Sequence, residues 1–245
     1  MTKKLFKISE AAEFLGVSID TLRRWDKNDL LKPIRASVGS YRYYKKEDLE
    51  LFLNDIFVMA KKWVLVENPK ELASEFYCVD SQTFQSRLNK LGQQLENIND
   101  LEKSFSLITS ITGEIGNNSF DHNLGSWPDI QGILFAYDLN KRKIILADRG
   151  QGILKTLKKV RPTLATDSDA LEVSFTEIIS GRFPENRGNG LKYVRKVVSE
   201  INKLTPLTLY FQSGSAVLNL KYGDLALDIS ESDFLFHGCL ALISF

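Results

Sequence analysis

Apolar residues recur at helical spacing near the start of the chain, at Ile8, Ala11, Ala12 and Leu15. Ser9 is a candidate N-cap for that helix, and Gly16 is placed to end it. Val17-Ser18 leads at once into Ile19–Trp25, with Ser18 as the cap. There Leu22 and Trp25 face inward while Asp20, Thr21, Arg23 and Arg24 face outward. Lys32-Pro33 is a stop signal. Two short strands are predicted within Ile34–Tyr44 around a turn near Gly39, then a third helix from Lys46 with Leu49, Leu51, Phe52 and Leu53 available for packing. The pattern next becomes mixed. Ile56–Leu65 is apolar but broken by Lys61-Lys62, and Pro69–Phe76 reads as a short helix with proline in its first turn.

Helical periodicity resumes at Phe84, Leu88, Leu91 and Leu95, and a longer helix is predicted over Leu101–Asn123. Strand-like runs follow at Gly132–Asp138 and Lys143–Ala147, joined by a hairpin-like turn. A helix-like Ile153–Val160, a polar loop and a glycine-rich stretch then lead to a helix over Leu191–Val198. The tail alternates as antiparallel strands at Leu207–Phe211, Ala216–Leu220, Asp233–Phe236 and Cys239–Phe245, with Gly223–Ser232 as a polar surface link.

A chain of 245 residues suits one large domain plus a small one, or two medium ones. Its net charge of +1 conceals an asymmetry. Residues 1–62 hold 13 lysines and arginines against 9 carboxylates, a net +4, whereas residues 63–245 hold 19 against 22, a net −3. A basic segment on a mildly acidic body hints at nucleic acid at one end only. Cys78 and Cys239 show no metal-type spacing, and His122 and His237 are the two histidines, so no zinc pattern is present. Glu10 and Glu13 interrupt any secretory core after Lys3-Lys4, and no apolar run reaches the ~18–20 residues of a membrane span. The expectation is a cytoplasmic, reduced protein with no membrane partner.

The order helix-turn-helix, wing, helix over residues 1–62 resembles the MerR/excisionase type of winged DNA-binding domain. Ile8–Gly16, Leu22-Arg-Arg-Trp25, Leu30-Leu-Lys-Pro33 and Gly39-Ser-Tyr-Arg-Tyr43 carry the resemblance. It implies Ser18, Thr21 and Arg24 at the major groove of double-stranded DNA, with Arg35, Tyr41, Arg42 and Tyr43 on phosphates from the wing. One departure is that Leu53–Leu65 lacks the sustained heptads of a dimerising coiled coil, so a homodimer would need another interface.

Candidate chemistry concentrates in three later motifs. Glu114 and Asn118 share a helix face, and a carboxylate and an amide so aligned can position water and magnesium beside a phosphate. Asp148 heads the run Asp148-Arg-Gly-Gln-Gly152, where a carboxylate can accept from an exocyclic amine and Gly150 and Gly152 let a planar ring approach the backbone. Arg187-Gly188-Asn189-Gly190-Leu191 opens a helix, a ready phosphate site, although no Walker loop occurs.

In order and spacing this set resembles the GHKL superfamily, whose ATP-binding domain has the Bergerat fold. The resemblance covers residues 81–245, with 63–80 as a linker. It implies an α+β chain: the winged helix-turn-helix, then a two-layer sandwich with a mixed, mostly antiparallel sheet and helices on one face. It further implies ATP and Mg²⁺ as cofactors, with Asn118 on the metal, Asp148 on the adenine amine, Arg187–Leu191 on the phosphates and Glu114 as general base. Gly238-Cys239 replaces the family's Gly-Thr before the last strand, which puts one contact to the adenine region in question.

Two outputs stay open. One is a transcription regulator in which slow ATP hydrolysis controls the DNA-binding module. The other is an anti-sigma-type serine/threonine kinase, or a switch that sequesters a protein partner.

Overall fold

The computed structural model describes residues 5–15, 17–27, 31–35, 40–53, 55–69, 72–179, 189–201, 203 and 205–245. The chain divides into two compact units, Met1–Met59 and Ala60–Phe245.

In the first unit β1 (Leu5–Lys7) leads into α1 (Ile8–Leu15) and α2 (Ile19–Lys27). Ser9 is not the cap of α1. The carboxylate of Glu10 instead reaches back to the backbone N–H of Lys7 at 2.7 Å, half of a capping box, because Lys7 and not Ser9 is the last non-helical residue. The helix closes with the Val17 N–H on the Ala12 carbonyl at 2.9 Å; Gly16, expected to end it, lies outside the described residues. Ser18 caps α2, its Oγ accepting from the Thr21 N–H at 3.0 Å.

β2 (Tyr43–Lys45) pairs antiparallel with β1, and Ile34 bridges to Tyr43. The sequence pattern marked the Ile34 and Tyr43 arms but not β1, which is too short to show alternation; the turn near Gly39 lies outside the described residues. α3 (Lys46–Leu53) completes the core of Ala11, Leu22, Trp25, Tyr44, Leu49 and Phe52. The Trp25 and Phe52 rings stand 4.9 Å apart.

α4 (Ile56–Leu65) contains the point of division between the units. In the second unit a seven-stranded sheet runs in the order β3-β4-β5-β9-β6-β7-β8, antiparallel in every pairing. Its strands are β3 (Tyr77–Cys78), β4 (Ile133–Asp138), β5 (Lys143–Asp148), β6 (Thr208–Ser213), β7 (Ala216–Lys221), β8 (Asp228–Glu231) and β9 (Cys239–Ser244). The helical layer is α5 (Ser81–Glu96), α6 (Phe105–Asn123), α7 (Gly152–Leu157), α8 (Asp167–Thr176) and α9 (Gly190–Lys196), the last continued by a π-helical turn over Val197–Ile201. The core lies between that layer and alternate strand residues: Ile133, Phe135, Leu146, Phe211 and Ala241 pack with Phe84, Ile111, Phe175 and Val194. This is the α+β, two-layer architecture expected from the sequence.

Several local expectations are corrected. The described part of Pro69–Phe76 is a turn, with the Phe76 N–H on the Ala73 carbonyl at 2.8 Å, because the chain must enter β3 beside β4. Residues 63–80, expected as a linker, therefore include the end of α4 and a sheet strand. α6 begins at Phe105, four residues later than expected, after a 3-10 turn at Asn99–Leu101. There the buried Ser104 hydroxyl meets that of Thr205 at 2.8 Å. Asp233–Phe236 is not a strand: Phe234 and Phe236 bury their rings from a loop. The edge strand β8 instead arises inside the polar link, where nearly every residue is exposed and hydrophobicity gives no signal.

α5 and α6 approach closely at Gly116, where an added Cβ would lie 2.1 Å from the ring of the fully buried Phe84. Gly116→Ala is expected to destabilise the fold by about 1–3 kcal/mol through overpacking, despite alanine's better helix propensity. The urea midpoint should fall, and Phe84→Leu added to it should recover part of the loss; an undiminished midpoint for the single variant would contradict this packing.

Candidate functional site

α6 carries Glu114 and Asn118 one turn apart, both half-buried, along a cavity of about 730 Å³. The cavity is bounded by this face of α6, the end of β5, the start of α7 and the start of α9. Gly190, at the first turn of α9, lies against the α6 pair. A Cβ there would sit 2.7 Å from Glu114 Oε2 and 3.2 Å from Asn118 Nδ2. Asn189 and Leu191 line the same cavity, so three of the five residues expected on phosphates are brought to Glu114 and Asn118. Arg187 and Gly188 lie outside the described residues.

Asp148 ends β5 and is 2 % exposed, its carboxylate turned to the cavity. Ser119 Oγ donates to Oδ2 at 2.7 Å and the Gly150 N–H to Oδ1 at 2.8 Å, and the Cys239 N–H also bonds the carboxylate. Burial nevertheless raises its pKa to about 6, since desolvation of the charged form outweighs these three donors. A carboxylate offers roughly four lone-pair sites, so acceptor capacity is left for a ligand donor.

The glycine box, Asp148–Gly152, is held tightly from α6. Asn123 accepts the Gln151 N–H at 2.7 Å and donates to the Ser119 carbonyl at 2.8 Å. Its side chain lies where a Cβ on Gly150 would be, at 2.0 Å. Gly152 takes φ +74°, a left-handed conformation that glycine accommodates without strain.

Three contributors had no part assigned from the sequence: Ser119, Asn123 and Ser213. Ser119 and Asn123 fall inside the α6 motif stretch, so their position was a usable signal. Ser213, which accepts the Ile153 N–H at 2.9 Å, had none, while Gly238, singled out with Cys239 before the last strand, sits at φ +92° against the backbone of Asp148. At Cys239, where the sequence departs from the family pattern, the backbone N–H bonds the Asp148 carboxylate. The thiol lines the cavity, and burial followed by the charge of Asp148 pushes its pKa well up.

Among the described residues no group of three or more His, Cys, Asp or Glu is placed to hold a metal. Magnesium, which commonly keeps waters and takes its remaining oxygens from phosphates, needs no such group and is compatible with the amide of Asn118.

In the first unit Ser18, Thr21 and Arg24 share the exposed side of α2, with Ser18 Oγ 2.9 Å from Thr21 Oγ1. The wing arginines are not simply free for phosphates. Arg35 and Arg42 both pair with Asp26 at the end of α2, Arg42 at 2.7 Å, and these three side chains are partly buried. One carboxylate against two guanidiniums leaves a net positive charge and ties the wing to α2. Tyr41 is 84 % exposed, whereas Tyr43 is half-buried in β2.

Comparison with known proteins matches residues 7–44 to the family described as MerR family regulatory protein. A probable heavy metal-dependent transcriptional regulator of Haemophilus influenzae is 31% identical over 100 residues, covering 37% of this chain and 75% of the relative. The chain therefore belongs to the MerR family. A type II methyltransferase of Escherichia coli is 44% identical over 63 residues, covering 26% of this chain but 15% of that protein's length. Among solved structures, the 43K ATPase domain of Thermus thermophilus gyrase B, in complex with an aminocoumarin, is similar at TM-score 0.33 and 15% identity, covering 62% of this chain and 40% of that one. Among the described residues no helix is long and apolar enough to cross a membrane.

The buried carboxylate gives a pH signature. The folded pKa of Asp148, about 6, lies above the ordinary 3.8, so protonation favours the fold. That contribution is complete below about pH 4 and lost as pH rises through about 6. Asp148→Asn should remove the loss. Denaturant unfolding should show a variant-minus-wild-type stability difference that grows by about 1–3 kcal/mol between pH 4 and 7. A difference independent of pH would show that Asp148 is not so perturbed.

Proposed function

We propose that this chain is a DNA-binding regulator of the MerR family whose second unit binds ATP and lets nucleotide control the DNA-binding module. The observation that carries it is the convergence on one cavity of Glu114 and Asn118, the start of α9 at Gly190 and the buried Asp148. The GHKL-like motif order supports reading that convergence as a nucleotide pocket.

In this reading Asp148 accepts the adenine amine, with Ser119 and the backbone of Gly150 and Cys239 fixing the carboxylate. Gly150 and Gly152 leave room for the ring. Asn118 would hold Mg²⁺ together with phosphate oxygens, and the bound metal would supply charge neutralisation at the phosphates. Glu114, one turn before Asn118, takes a proton from the attacking water as general base. Arg187, Gly188, Asn189, Gly190 and Leu191 are assigned to the phosphates, Gly190 being next to the Glu114–Asn118 face.

On the DNA side Ser18, Thr21 and Arg24 would meet the major groove. Arg35, Tyr41, Arg42 and Tyr43 would meet phosphates, with Asp26 fixing the two arginines in place before binding.

Asn118→Ala should abolish magnesium-dependent ATP binding in titration calorimetry, while Glu114→Ala should bind ATP but release little phosphate. Normal ATP–Mg²⁺ binding by the first variant, or undiminished turnover by the second, would remove those assignments. With labelled ATP, free phosphate is the expected product; label on a partner serine would identify a protein kinase instead.

Arg42→Ala should weaken binding of the full chain to duplex DNA whatever its sequence, and reduce the salt slope by about one. Affinity and salt slope unchanged in fluorescence anisotropy would take Arg42 out of the interface.

A further inference from the structure

Arg149 stands between Asp148 and Gly150, and nothing in the proposed chemistry uses it. It is 5 % exposed, rare burial for an arginine. Successive residues of a strand face opposite sides of the sheet. Asp148 turns to the cavity, so Arg149 passes to the other face, where Tyr77 and Tyr210 also point. The end of α4 lies there, with Trp63 6.3 Å from the Tyr77 ring and Lys61 Nζ 5.8 Å from the Tyr210 ring.

The guanidinium of Arg149 donates to the main-chain carbonyls of Trp63 at 2.7 Å and Val64 at 2.8 Å. It also pairs with Asp129 through two nitrogens, at 2.6 and 2.8 Å. The carbonyls in the last turn of a helix lack intrahelical partners, and a cation there is favoured by the dipole. Burial works against the charge of Asp129, yet the Arg149 hydrogen bond holds its carboxyl below the usual range.

On the cavity side the two neighbours of Arg149, Asp148 and Gly150, have little slack. Gly150 N–H is bonded to Asp148 Oδ1, and Asn123 fills the space beside Gly150. A ligand that displaces Asp148 therefore displaces the root of Arg149. The helix that Arg149 grips contains the point at which the chain passes from the first unit to the second.

We propose that Arg149 is a positioning residue that registers occupancy of the cavity at α4: nucleotide on Asp148, at one face of the sheet, changes the grip of the guanidinium on the Trp63 and Val64 carbonyls at the other. This rests on the nucleotide reading above and supplies its regulatory link. Coupling of this kind is reciprocal, so the state of the α4 end that nucleotide favours binds nucleotide more tightly by the same factor.

Hydrogen–deuterium exchange of the full chain, with and without ATP–Mg²⁺, tests the link when calorimetry is run on the same samples. ATP should change amide exchange over residues 62–66 by on the order of five-fold or more. In R149K, whose single ammonium cannot fork to both carbonyls and Asp129, ATP should still bind but the change at 62–66 should disappear. If R149K does not fold, the paired apolar replacement R149M/D129L takes its place, since removing both members avoids a lone buried charge. ATP binding by the wild type without any change at 62–66 overturns the link alone, as does a full change in a variant. Failure of the wild type to bind ATP overturns the nucleotide reading, and the link with it.

Discussion

The interaction on which the second unit depends is the burial of one carboxylate. Asp148 ends β5 inside the protein, and three donors from three places converge on it and offset part of its desolvation: the Ser119 hydroxyl of α6, the Gly150 N–H of the following loop and the Cys239 N–H of β9. An unpaired buried charge would cost several kcal/mol, so the positions of α6, the glycine box and the last strand are mutually specified. The cavity is the space these elements leave on one side of the carboxylate.

Close approach is the second constraint, and glycine is its instrument. Gly116 admits the Phe84 ring between α5 and α6, Gly150 admits Asn123, and Gly190 brings the start of α9 onto Glu114 and Asn118. Each contact replaces a side chain by a neighbour's side chain. α6 is consequently gripped from α5 and from β5 at once, and its Glu114–Asn118 face is presented with little freedom. In the first unit Asp26 plays a comparable part, holding Arg35 and Arg42 so that wing and α2 act together. Burial of the aromatic pair Trp25–Phe52 supplies the cohesion, and the shared carboxylate supplies the register.

Much of this was legible along the chain. The helices α1, α2, α3 and α5, the hairpin β4–β5 and strand β9 follow from apolar spacing, because each buries one face against a layer. Gly150, Gly152 and Gly190 stood out beside Asp148, Glu114 and Asn118, since a site that needs bare backbone must use glycine. What escaped were elements whose burial is not periodic. β8 is exposed at the sheet edge, β3 is two residues long, and Phe234 and Phe236 are buried from a loop, so alternation misled in one place and was silent in the others.

The amino-acid pattern by itself determined where most helices and strands lie, because local periodicity and turn residues act over a few positions; the winged helix-turn-helix, the two-layer α+β body and the candidate site residues came from the order and spacing of motifs that resemble known families. Tertiary structure alone decided what those side chains do to one another. That Asp26 binds both wing arginines, that Ser119 and the backbone of Cys239 hold Asp148, and that Arg149 grips the end of α4 are contacts across up to 91 positions, from Asp148 to Cys239. Partners so far apart are brought together by the packing of layers, and a buried charge accepts only the geometry in which all of its hydrogen bonds can be made.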